Sequence, residues 1–163
     1  MPRRLSAPEA ILYGTLVVGT LDALDAIVFF GLRSGVSPLR IFQGIASGLL
    51  GRASYQGGLK TAALGFLLHY LIACGIVVTY SLFSRRLPLL TRHPVVCGLL
   101  YGVAAYGVMN FIVLPLSKTG PPSLPAPVLI NGLLIHMFGV GLPSALFART
   151  ARRTSAGRFS PTP

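Results

Sequence analysis

Four apolar stretches constrain this chain more than any other feature, at roughly residues 10–32, 62–84, 95–117 and 128–148. Each matches the about 20 residues that an α-helix, rising 1.5 Å per residue, needs to cross about 30 Å of hydrocarbon. The last three contain no Asp, Glu, Lys or Arg, whereas the first contains Asp22 and Asp25. Lipid offers the backbone no hydrogen-bond partners, so such stretches must be helices. The expected fold is therefore all-α, a four-helix transmembrane bundle forming a single domain over residues 1–153. A polar tail over residues 154–163 is expected to be disordered and cytoplasmic.

The net charge of +11 would be compatible with nucleic acid if the charges formed a stripe on a soluble face. They do not. The basic residues lie almost entirely between the apolar blocks, as they do in segments that face cytoplasm and anionic head groups. With the N-terminus inside, the cytoplasmic segments hold nine: Arg3, Arg4, Arg85, Arg86, Arg92, Arg149, Arg152, Arg153 and Arg158. The outer segments hold five: Arg33, Arg40, Arg52, Lys60 and Lys118. Positive loops stay inside, so both termini are expected in the cytoplasm, with anionic lipid as the partner and no nucleic acid. Arg3 and Arg4 precede an apolar stretch too long for a signal peptide, which reads as a retained first span. Cys74 and Cys97 fall at different depths in this topology and read as packing residues.

The first outer loop is long for a bundle. Its segment from Ser37 to Gly51 opens with Ser37-Pro38, a pair suited to a helix N-cap and first turn. Leu39, Phe42, Ile45, Ala46 and Leu49 follow helical spacing, so an amphipathic helix lying in the membrane interface is expected. The second outer loop, Gly120-Pro121-Pro122-Ser123-Leu124-Pro125-Ala126-Pro127, reads as a stiff, non-helical connector.

A weak internal repeat organises the spans. Gly65-Phe66-Leu67-Leu68-His69 in the second matches Gly132-Leu133-Leu134-Ile135-His136 in the fourth, and both spans leave through a basic end. In the odd spans, Asp25-Ala26-Ile27-Val28 lies opposite Asn110-Phe111-Ile112-Val113. The bundle then reads as two tandem helical hairpins. By rise per residue, Asp25, His69, Asn110 and His136 fall roughly 10 to 12 Å below the outer surface, with Asp22 one turn deeper.

Ionisable groups inside a membrane are expensive and face the bundle interior, so Asp22, Asp25, His69, Asn110 and His136 form the candidate polar intramembrane site. Three readings compete. The groups could be structural glue, tying Asp25 to His69 and Asn110 to His136. They could relay protons or ions as part of a transport subunit. Alternatively, His69 and His136 could be axial ligands of a b-type haem. No other cofactor or metal is expected, because neither His69 nor His136 belongs to an i, i+3 or i, i+4 ligand pair. Gly98 and Gly102 form a small-xxx-small pair for close helix packing, and Pro143 should kink the fourth span and free a carbonyl near Gly139. No catalytic motif is present, so the chain reads as a non-enzymatic component, either a homo-oligomer or part of a larger membrane complex.

His69 with Tyr80, Arg85-Arg86-Leu87-Pro88, Gly98-Leu99-Leu100, Pro115-Leu116-Ser117 with Gly120-Pro121-Pro122, and His136 form a pattern that resembles the YagU-type inner-membrane proteins of bacteria. The resemblance covers about residues 62–153. It implies a bacterial inner-membrane location and, through that family's association with acid stress, a stress-related role for a protonatable outer layer. The first outer loop lies outside it.

Overall fold

A computed structural model describes residues 5–156, and within them all regular structure is helical. Helix α1 spans Ala7–Ser34. It starts where Ser6 accepts from the Glu9 N–H while the Glu9 carboxylate accepts from the Ser6 N–H at 2.8 Å, so two otherwise orphaned donors are satisfied reciprocally. It stops at Gly35, whose φ of 64° suits a residue without a side chain. Helix α2, Pro38–Leu50, has Ser37 as N-cap and Pro38 in its first turn, as its sequence requires. A 3-10 turn over Gly51–Gln56 leads into α3, Gly58–Arg86. The short α4, Leu89–Arg92, precedes α5, Pro94–Leu116, and α6, Ala126–Ala151, whose helix continues to Ala156. The tail expected from residue 154 is thus helical for its first three residues. Its remainder lies outside the described residues, as do Arg3, Arg4 and Arg158.

Helices α1, α3, α5 and α6 are the four long and apolar enough to cross a membrane, and their bounds differ from the sequence reading by two to four residues at most ends. No more than 28% of the most apolar stretch of any of them is buried inside the protein. Leu12, Leu24, Val28, Leu67, Leu71 and Leu100 all point outward. A fold that leaves this much apolar surface uncovered needs an apolar solvent around it.

Small residues set the packing. Helix α1 packs against α3 and α6, and α5 packs against α6. A Cβ on Gly102 would land on the His136 carbonyl, and one on Gly141 on the Gly98 carbonyl, so Gly98 and Gly102 bring the α5 and α6 backbones into contact. Gly65 does the same for α2, whose Phe42 carbonyl rests against it. Helix α2 therefore lies on the first half of α3, with Gln43, Ala46 and Ser47 buried. The N–H of Lys118 donates to the Gly48 carbonyl at 2.9 Å, tying α2 to the exit of α5. At the opposite end, the Tyr80 hydroxyl donates to the Leu90 carbonyl, and that of Tyr101 donates to the Ile76 carbonyl.

Two spans are locally underwound. Both α5 and α6 contain a π-turn, over Met109–Val113 and His136–Gly141, and each is followed by Leu-Pro. Pro115 and Pro143 cannot donate a hydrogen bond, and their rings push away the carbonyl four residues earlier. The chain responds with wider bonds, from Leu114 N–H to the Met109 carbonyl and from Leu142 N–H to the Met137 carbonyl. The disturbance expected of Pro143 near Gly139 thus takes the form of a π-turn that includes Gly139.

Candidate functional site in the helix bundle

The C-terminal half of α1, the first halves of α3 and α6, and the end of α5 meet around a cavity of about 780 Å³. Helix α2 supplies a further wall through Ile41, Gly44, Ile45 and Gly48. Asp22, Asp25, His69, Asn110 and His136 all line this one cavity. Most of the remaining wall is apolar, including Ala26, Phe29, Phe30, Ile72 and Val140.

The pairings differ from those expected. Asp25 does not bond His69; its Oδ2 accepts from the Asn131 Nδ2 at 2.7 Å. Asn110 does not bond His136; its Nδ2 donates to the Tyr106 carbonyl one turn back. Both histidines instead approach Asp22, with Nδ1 of His69 and Nδ1 of His136 each 4.0 Å from one of its carboxylate oxygens. The reason is rotational. Asp22 and Asp25 are three residues apart, about 60° around the helix, so Asp22 faces the α3 and α6 histidines while Asp25 faces the start of α6.

Each imidazole is oriented by a carbonyl. His69 Nε2 lies 2.8 Å from the Gly19 carbonyl, and His136 Nδ1 lies 2.9 Å from the Gly132 carbonyl. A carbonyl only accepts, so these nitrogens carry the ring protons. Neutral His69 then presents its Nδ1 lone pair toward the Asp22 carboxylate, two acceptors facing each other with no donor between them. Neutral His136 keeps Nε2 as its acceptor.

Each imidazole has one nitrogen on a backbone carbonyl, which leaves Nδ1 of His69 and Nε2 of His136 as the nitrogens that carry a lone pair when the rings are neutral. Among the described residues, no cluster of three or more His, Cys, Asp and Glu side chains is arranged to hold a metal ion.

Two members of the site were not singled out by the sequence reading. Asn131 stands five residues before His136 and is the partner of Asp25. Tyr106, four residues before Asn110, packs its ring 5.2 Å from that of His136 and is 6% exposed, yet its hydroxyl has no hydrogen-bond partner. Both are polar groups inside apolar spans, and that was the available signal. Asn110 and His136 also sit within the two π-turns, where the helix bulges to present a side chain. Near the cavity wall, the Arg40 guanidinium is engaged with the Tyr55 carbonyl at 3.3 Å and lies over the Tyr55 ring.

No protein-family model, curated protein or solved structure matches the chain.

Proposed function

We propose that this chain is a non-enzymatic, multi-pass protein of the bacterial inner membrane that holds a small amphiphilic molecule in the cavity between its helices. In this reading both termini are cytoplasmic, the spans form two tandem hairpins, and α2 lies at the outer interface above the cavity. A place beside the YagU-type proteins, and a role as an accessory or stress-related component, belong to the same reading.

The observation that carries it is the cavity itself. Its volume of about 780 Å³ falls in the range of about 300 to 1,000 Å³ common for small-molecule sites, and an apolar wall with a few convergent polar groups is the usual composition of such sites. Structural glue alone would have paired these groups with one another. Only Asp25 and Asn131 are so paired, while Asp22 and the Tyr106 hydroxyl are not.

The test is thermal unfolding in nanodiscs of phosphatidylcholine and phosphatidylglycerol, with 4-phenylbutylamine, 4-phenylbutanol and 4-phenylbutyrate as probes. A molecule that binds only the folded state at 100 times its Kd stabilises by about 2.7 kcal/mol. At least one probe is expected to raise the midpoint, and Ala26→Phe, which fills the cavity, is expected to abolish the rise. If no probe shifts the midpoint, the reading fails. A second reading, a proton-linked transport subunit, is favoured by one observation: a carboxylate standing between two imidazoles at 4.0 Å. Proton flux into liposomes that is unaltered by Asp22→Asn would exclude it.

A further inference from the structure

The site has too many acceptors. Asp22 and Asp25 bring two carboxylates into an otherwise apolar cavity, and Asn131 satisfies only one oxygen of Asp25. The imidazoles of His69 and His136 approach Asp22 only to 4.0 Å, a separation beyond hydrogen-bonding reach, and its like-charged neighbour Asp25 lies three residues on. His69 Nδ1, which carries a lone pair when the ring is neutral, lies 4.0 Å from the same carboxylate. The remaining titratable groups on the walls are Tyr55, Tyr106 and Arg40, and the guanidinium of Arg40 is engaged with Tyr55. A carboxylate in such surroundings is costly without a cation or a hydrogen-bond donor.

Resting on the ligand-holding reading, we propose that the cavity takes a primary ammonium carried on an apolar body. The ammonium sits between Asp22 and His69, donating one N–H to the carboxylate and one to Nδ1, and the apolar body lies along Ala26, Phe29, Ile72 and Val140. Three N–H donors in a compact head match the two facing acceptors with one donor to spare. A carboxylate ligand would meet two like charges, and an alcohol would leave the Asp22 charge uncompensated. A proton on His69 Nδ1 would fill the same gap between the two acceptors. Ammonium and ring proton therefore compete for the same space. The ammonium could come from a free amine or from an aminophospholipid head group, and both offer the same chemistry.

The probes of the thermal test decide the matter when their affinities are measured by calorimetry in the same nanodiscs, which contain no primary amine. The amine is expected to bind at least about tenfold more tightly than the alcohol, as befits a charge-assisted hydrogen bond, and the butyrate more weakly than either. Asp22→Asn should remove the preference for the amine while leaving alcohol binding intact, which also shows that the variant is folded. Adding phosphatidylethanolamine distinguishes the sources: competition with the amine assigns the site to a lipid head group, and its lack to a free amine. Equal affinity for amine and alcohol would overturn this inference while the ligand-holding reading stood. An amine preference that survives Asp22→Asn would overturn it too.

Discussion

Replacing Gly102 by alanine puts the backbone contact between α5 and α6 to the test. In an unhindered helix position, glycine to alanine stabilises by roughly 0.5 to 1 kcal/mol, because the chain loses less freedom on folding. At Gly102 the new methyl would fall on the His136 carbonyl and lie 2.6 Å from the Met137 Cα. Both neighbours are backbone, so no rotamer change relieves the overlap. The helices must separate, and contacts at Gly98 and Gly141 are lost along with this one. Overpacking of this kind costs about 1 to 3 kcal/mol, which exceeds the intrinsic gain. The expected outcome is a net loss of about 1 to 2 kcal/mol for Gly102→Ala. Gly107→Ala, which meets nothing within 4 Å on the same helix, should equal or slightly exceed the parent. Unfolding by sodium dodecyl sulfate in mixed micelles, followed through the six tyrosines, measures both. Equal stability of the two variants would refute the close approach of α5 and α6.

Other perturbations test neighbouring parts of the account. Asn131→Leu removes the 2.7 Å bond to Asp25 and should destabilise by about 0.6 to 2 kcal/mol in the same assay, in keeping with polar contacts in membranes. Gly65→Val should lift α2 off α3, seen as faster amide exchange across residues 38–50 with that of α6 unaltered. Pro143→Ala should let α6 regain regular α-helical bonding, moving the His136 ring resonances in NMR spectra while keeping the spans folded. Protein expressed with supplemented haem should show no Soret band, because the Asp22 carboxylate stands between the two imidazoles.

How far the sequence reading reached can be judged residue by residue. Hydropathy located the four long helices, since only helix satisfies a backbone in lipid, and Ser37-Pro38 marked the start of α2 because capping is local. Rise per residue brought Asp25, His69, Asn110 and His136 to one level with Asp22 one turn deeper, and all five line one cavity. Pairing was beyond it. Which residues meet depends on how each helix is rotated about its axis, and hydropathy leaves that angle loose when most faces are apolar. Asp25 therefore met Asn131 instead of His69, and both histidines approached Asp22. The destination of α2 was hidden for a related reason. Its stripe showed that one face is covered, but the cover is the small patch at Gly65, where the Phe42 carbonyl rests. Pro115 stood only in the family pattern, although it does to α5 what Pro143 does to α6.

The central claim is that one carboxylate on α1 stands between histidines on α3 and α6 inside the cavity. The composition makes this directly measurable, because the chain has only three acidic residues, of which Asp22 and Asp25 are the aspartates, and three histidines. Protein labelled with 13C at the aspartate carboxyl and 15N in the histidine rings, reconstituted in lipid, can be examined by rotational-echo double resonance. Dephasing of one carboxyl carbon by two imidazole nitrogens, at separations set by the 4.0 Å Nδ1–oxygen distances, is the result expected. Carboxyl signals untouched by the histidine nitrogens would contradict the account.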